Sequence, residues 1–127
     1  MLVLFTADVK VWAKGLERYW RNVPSDIADQ VSGAIGPFHE KRGDQFQRDE
    51  AHRSVGMAMQ TLVLAAQSLG YQSCPMISFD VEGVAKLINL PTYYVMGLMV
   101  AVGKGIKEPW AKPGQLSLGE IVFENSF

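Results

Sequence analysis

Covalent chemistry has few places to start in this sequence. Cys74 is the single cysteine, and His39 and His52 are the only histidines, so neither an internal disulfide nor a Cys/His set at zinc-ligand spacing can form. A lone cysteine in an apolar stretch reads as a small buried hydrophobe, since reactivity requires a lowered thiol pKa. The two histidines read as surface or helix-capping residues. No nucleophile beside a base and no pair of carboxylates suited to acid–base work stands out. Three groups remain: the turn-forming run Ser73-Cys74-Pro75-Met76-Ile77-Ser78; Lys104, Lys107 and Lys112 in a Gly/Pro-rich segment; and the aromatics Trp12, Tyr19, Trp20 and Phe38. By residue type alone these are a structural turn, solvated lysines and core aromatics.

The chain that must position them has 127 residues, the size of one domain with one core. Its hydrophobic fraction is 48% while charged residues make up only 20%, so the surface is short of charge for a monomer and oligomerisation is expected. A net charge of -1 argues against the basic footprint of a nucleic-acid binder. The apolar start at Met1-Leu2-Val3-Leu4-Phe5 is cut short by Asp8 and Lys10, too early for a signal-peptide core or a membrane span. The expected setting is soluble, reducing and cytoplasmic.

Leu2-Val3-Leu4-Phe5-Thr6 has the continuous apolar pattern of a strand covered on both faces. Val9, Trp12, Ala13, Leu16, Tyr19 and Trp20 at helical spacing predict an amphipathic helix that Pro24 ends. Ser25 or Asp26 can cap a second helix carrying Ile27, Val31, Ala34 and Ile35, which Gly36-Pro37 is expected to interrupt. A polar stretch, broken at Gly43, leads into the strongest element, a helix capped by Asp44 or Asp49 and running to about Leu69, with Gly70 as its stop. From Val55 to Leu69 that helix is apolar around most of its circumference, so it must be covered on several sides. Residues 73–79 predict a short strand and loop, Asp80 caps a helix that Pro91 stops, and residues 94–102 form the longest strand candidate. Glu120-Ile121-Val122-Phe123 has strand character. Strands separated by helices indicate an α/β or α+β sandwich.

This order of elements resembles the nitroreductase family. The run Arg53-Ser54-Val55-Gly56-Met57-Ala58-Met59-Gln60-Thr61-Leu62-Val63-Leu64-Ala65-Ala66-Gln67-Ser68-Leu69-Gly70-Tyr71 is similar to that family's long dimer-interface helix. Ser73-Cys74-Pro75-Met76-Ile77-Ser78-Phe79-Asp80 is similar to its flavin-facing loop, and Leu87-Ile88-Asn89-Leu90-Pro91 with the strand ending Val102-Gly103 completes the likeness. Residues 2–8 are similar to an internal strand of the family and residues 9–48 to its variable excursion helices. The resemblance implies one domain over residues 1–127, with a mixed sheet flanked by helices. It also implies a long central dimer-interface helix and a C-terminal strand or tail reaching the partner.

The function it implies is a homodimer holding FMN and reducing nitroaromatic, quinone or similar acceptors with NAD(P)H. The flavin carries the hydride chemistry, which accounts for the missing nucleophile, acid–base pair and metal site. Carried over position by position, Pro75, Met76, Ile77 and Ser78 face the flavin ring with main-chain N–H groups. Lys104 and Lys112 meet the FMN phosphate, and Trp12, Trp20 and Phe38, with Tyr19, line a substrate lid. The family's basic N-terminal arm precedes the strand with which this chain begins, so a truncated chain is expected. The alternative it raises is a non-catalytic, truncated dimerisation scaffold that has lost full FMN binding.

Overall fold

The computed structural model describes residues 1–126 and runs β1 (Leu2–Asp8), a 3-10 turn (Val11–Ala13), α1 (Glu17–Trp20), α2 (Ser25–Ser68), β2 (Gln72–Met76), α3 (Val81–Leu87), β3 (Tyr94–Gly103) and α4 (Leu118–Ile121). The three strands form a sheet in the order β1-β3-β2, with β3 antiparallel to both neighbours. The α+β class holds; among the described residues the sheet is wholly antiparallel rather than mixed.

Two expected helices change shape for identifiable reasons. The helix predicted over residues 9–21 is split into a 3-10 turn and a single α-turn, because Gly15 between them takes a positive φ of 56°. The Asp8 carboxylate accepts from the Lys10 main-chain N–H at 2.8 Å and starts the turn instead. Gly36-Pro37 does not interrupt the next helix. Pro37 is carried inside α2, and Gly36, with no Cβ to meet the proline ring, eases one of the clashes that make an interior proline costly. The true break comes six residues later, where Gly43 at φ 76° and ψ -179° occupies a region open essentially to glycine alone. Residues 25–42 thus form an arm set at an angle to the central helix, residues 44–68.

The central helix ends as expected. Gly70 takes φ 75°, its N–H donates to the Gln67 carbonyl at 3.0 Å and the Tyr71 N–H to the Ala66 carbonyl at 2.9 Å, the paired bonds of a Schellman stop. Asp80 caps α3 through a 2.9 Å bond from the Gly83 N–H. The segment predicted as a C-terminal strand is instead a one-turn helix, α4, closed by a capping box between Ser117 and Glu120. The expected C-terminal strand is therefore corrected to a helical turn.

The core lies where the central helix meets β3. Ala51, Val55, Ala66, Val95 and Val100 are its buried apolar residues. Val95 and Val100 differ in parity along the strand, yet both are buried. The register explains this: Leu4 pairs with Met99 and Thr6 with Met96, so Gly97 and Leu98 together stand opposite Phe5 alone. Such a bulge shifts the alternation by one residue and turns both valines inward. Gly97 sits at this point, and a Cβ there would collide with the Val55 side chain and lie 3.3 Å from the Phe5 carbonyl oxygen.

Cover elsewhere is thin. The chain exposes 10064 Å², against about 6,700 Å² for a compact monomer of its mass, an excess of roughly 3,300 Å². Met57 and Leu64, one heptad apart on the outer face of the central helix, are 66% and 56% exposed. Cys74, read as a buried hydrophobe, is exposed because β2 is an edge strand.

Seating of the central helix on the sheet is testable by a double-mutant cycle. Gly97→Ala should destabilise the protein by about 1–3 kcal/mol through overpacking, and Val55→Ala by about 1–3 kcal/mol through lost burial. In the double variant the losses should fall short of their sum by roughly 1 kcal/mol or more. Denaturant unfolding curves that add independently would contradict the contact.

Candidate functional site

The residues singled out in the sequence fall into three places. Pro75 and Met76 are the last residues of β2, paired with Val100 and Met99, and Ile77 and Ser78 follow in the exposed loop before α3. Ile77 is 74% exposed. Among the described residues none hydrogen-bonds to Ser78, so its main-chain N–H is open to an outside acceptor. Main-chain donors at such a loop are fixed and neutral, which suits them to a polar ring edge.

Lys104 directly follows β3 at the far end of the same pair of strands, where Gly103 stands opposite Gln72. The paired stretch from Gln72 to Met76 spans about 14 Å at about 3.4 Å per residue, and Ser78 and Lys104 lie beyond its opposite ends. A single ligand touching both must be elongated and lie along β2 and β3. Lys107 and Lys112 lie further along the exposed segment between β3 and α4. Among the described residues neither Lys104 nor Lys112 has an ion-pair partner, so both ammonium groups are free for an outside anion.

The aromatic residues gather around the kink of α2. The Trp12 ring stacks on His39, with centroids 5.3 Å apart and planes 4° from parallel. Phe38 meets both His39 and Phe46 edge-on at 5.4 and 5.6 Å, and the Arg42 guanidinium lies 3.7 Å from the Phe38 ring. Trp20 stands apart from this stack. It joins Trp12, Leu16, Tyr19 and Ile35 around a separate apolar cavity of 300 Å³. Trp12 and Phe38 are thus brought together through His39, and Trp20 touches the cluster only through the second cavity.

His39 differs from its sequence-based expectation. It is not a surface or capping group but the middle of the aromatic stack, with its Nδ1 buried. Gln47 is a residue that the sequence reading missed. It is buried, its Oε1 accepts from Lys10 Nζ at 2.6 Å, and its Nε2 donates to the His39 carbonyl at 3.0 Å. One signal was available: Gln47 stands one turn before Ala51 and two before Val55, on the stripe that faces the core. Lys10 Nζ also pairs with Asp44 at 2.8 Å, a bond that holds the Asp44 carboxyl below its usual range. Lys14 pairs with Asp8 and lies over the Tyr93 ring, and the hydrogen bond to Asp8 raises its pKa above the ordinary lysine value. Beside this network a cavity of 410 Å³ opens among Asp8, Trp12, His39, Gln47, Glu50 and Ser54. The described residues contain no grouping of three or more His, Cys, Asp or Glu able to hold a metal ion, and no helix long and apolar enough to cross a membrane.

Comparison with known proteins bears on the whole arrangement. The sequence profile of the nitroreductase family matches residues 5–104. The chain is 48% identical to protein DrgA of Synechocystis sp. over 127 residues, a match covering 96% of this chain and 60% of DrgA. It is 39% identical to MhqN of Bacillus subtilis, named as an NAD(P)H nitroreductase, over 78 residues, covering 61% of this chain and 35% of that protein. Among solved structures, a nitroreductase-type protein of Exiguobacterium sibiricum in complex with FMN superposes with a TM-score of 0.88 at 18% identity, covering 98% of this chain and 61% of that one. At that identity the superposition speaks for the fold alone. The chain spans under two thirds of the length of each of these relatives. Family match, identity to DrgA and shared fold agree, and the chain belongs to the nitroreductase family.

Proposed function

We propose that this chain acts as an FMN-dependent oxidoreductase that passes electrons from NAD(P)H to nitroaromatic, quinone or similar acceptors, as a homodimer in the cytoplasm. The observation that carries the reading is the track along β2 and β3, which has an open Ser78 amide at one end and the unpaired Lys104 at the other. Its length and its two ends suit a flat ring joined through a polar chain to a phosphate. The Ser78 amide, next to Pro75, Met76 and Ile77, would donate to the ring edge, and Lys104 with Lys112 would offset the phosphate charge as point charges. When bound, FMN supplies the hydride chemistry. The part left to this chain is to bind the ring, shield it from water and shape the space above it, the last being the proposed task of Trp12, Trp20 and Phe38.

Dimerisation is supported by the excess of exposed surface. Obligate dimers bury about 2,000–5,000 Å² in total, so roughly 3,300 Å² per chain is enough for an extensive interface. The outer face of the central helix, with Met57 and Leu64 exposed, is the proposed centre of it. The exposed apolar residues of the tail, Leu118, Ile121 and Val122, are proposed to reach the partner. A free, exposed Cys74 agrees with a reducing compartment.

Two measurements test this reading. Titration with FMN should give a stoichiometric flavin complex that NAD(P)H bleaches. Lys104→Ala and Lys112→Ala should each weaken FMN by roughly 10- to 100-fold, the loss of one charge-assisted bond, while leaving riboflavin, which lacks the phosphate, unchanged. A colourless protein indifferent to added FMN would favour the dimerisation scaffold. Sedimentation should also find a dimer, and Leu64→Asp should weaken it about 30-fold or more, as expected for loss of a central interface anchor. A monomeric parent chain would refute the assembly.

A further inference from the structure

Ring contacts and a polar bond together hold the angle between the arm and the central helix: Phe38 and His39 of the arm meet Phe46 beyond the bend, and Gln47 bonds back to His39. Gly43 supplies the backbone conformation of the bend, and His39 and Gln47 on either side of it line the 410 Å³ cavity. Among the described residues one side-chain hydrogen bond crosses the bend, and two more from Lys10 anchor the residues after it. Gln47, in the first turn after the bend and 4% exposed, donates from Nε2 to the carbonyl of His39, one turn before the bend. Its Oε1 accepts from Lys10 Nζ, and the same ammonium donates to Asp44, so the polypeptide just beyond β1 is tied to both residues after the bend. A buried amide with both ends used is costly to disturb, since loss of either partner leaves a polar group unsatisfied.

We propose that Gln47 is a positioning residue: through its bond to His39, with Lys10 fixing which way its amide faces, it helps set the angle at which residues 25–42 leave the central helix. This angle determines where Phe38, and the His39 and Arg42 packed against it, stand over an acceptor. The consequence for acceptors rests on the proposed lid role of the arm, whereas the latch itself does not. Neither Gln47 nor Lys10 is among the residues proposed to touch flavin or acceptor, so their effect on turnover would come through the arm.

The test is amide hydrogen exchange on the full chain, with acceptor kinetics on the FMN-loaded protein beside it. Gln47→Met, which keeps the volume and removes both bonds, should raise exchange across residues 25–42 by about tenfold or more, with residues 51–66 unchanged. Gln47→Glu retains the bond from Lys10 and should show a smaller rise. Lys10→Met reaches the latch from its exposed side and covers the case in which the buried substitution fails to fold. It too should loosen residues 25–42 selectively. With the lid role in force, each loosened variant should raise KM for bulky acceptors several-fold while kcat for a small quinone stays within about twofold, because the ring and phosphate contacts are untouched. Equal exchange increases in both segments, or none in either, would overturn the latch. Selective loosening with unaltered KM would keep the latch and refute the lid, and a chain that binds no flavin would still be judged by its exchange pattern.

Discussion

Val55 presses on β3 at Gly97, and the placement of most other parts follows from that contact. With no Cβ at Gly97 the central helix comes close enough to the sheet for Val95 and Val100 to be buried on either side of the bulge. The helix then carries the kink and the aromatic arm at its start and the Schellman stop at its end, which feeds β2 into the sheet edge. The bulge and the missing side chain are a matched pair. The first turns both valines inward, and the second makes room for the helix above them.

A core of this kind is small for a chain of this length. Only one layer of helix covers one face of a three-stranded sheet, and the large apolar side chains of the outer helix face and the tail stand exposed. Hydrophobic surface on that scale is stable in water only when something covers it. The edge strand that ends in the Ser78 loop, the lysines after β3 and the outer helix face all belong to surfaces that this chain does not bury by itself.

Much of this was legible in the sequence. The apolar run through Val55, Leu62 and Ala66 marked the central helix, Gly70 its end and Asp80 the cap of α3, because each of these signals is local. What escaped the sequence depends on pairs of residues. Pro37 reads as a breaker unless Gly36 is seen to ease one of its clashes, and the helix expected near Trp12 depends on whether Gly15 continues it or turns away. The β-rich composition of Ile121-Val122-Phe123 points to a strand at α4, while the capping box of Ser117 and Glu120 decides otherwise. For the candidate site, the turn and the lysines were visible by type. Their arrangement along one pair of strands was not, since it depends on the register of β2 against β3. Gln47 and His39 were hidden for the same reason, eight residues apart in sequence and joined only across the bend.

The proposed function turns on one elongated cofactor lying along β2 and β3 with its ring at Ser78 and its phosphate at Lys104. Amide chemical shifts of isotope-labelled protein during an FMN titration test it most directly. The resonances of Ser78 and Lys104 should move together and saturate at one FMN per chain, and riboflavin should move Ser78 while leaving Lys104 in place. Shifts confined to the cavity beside Gly43, or movement of Lys104 with both ligands alike, would contradict it.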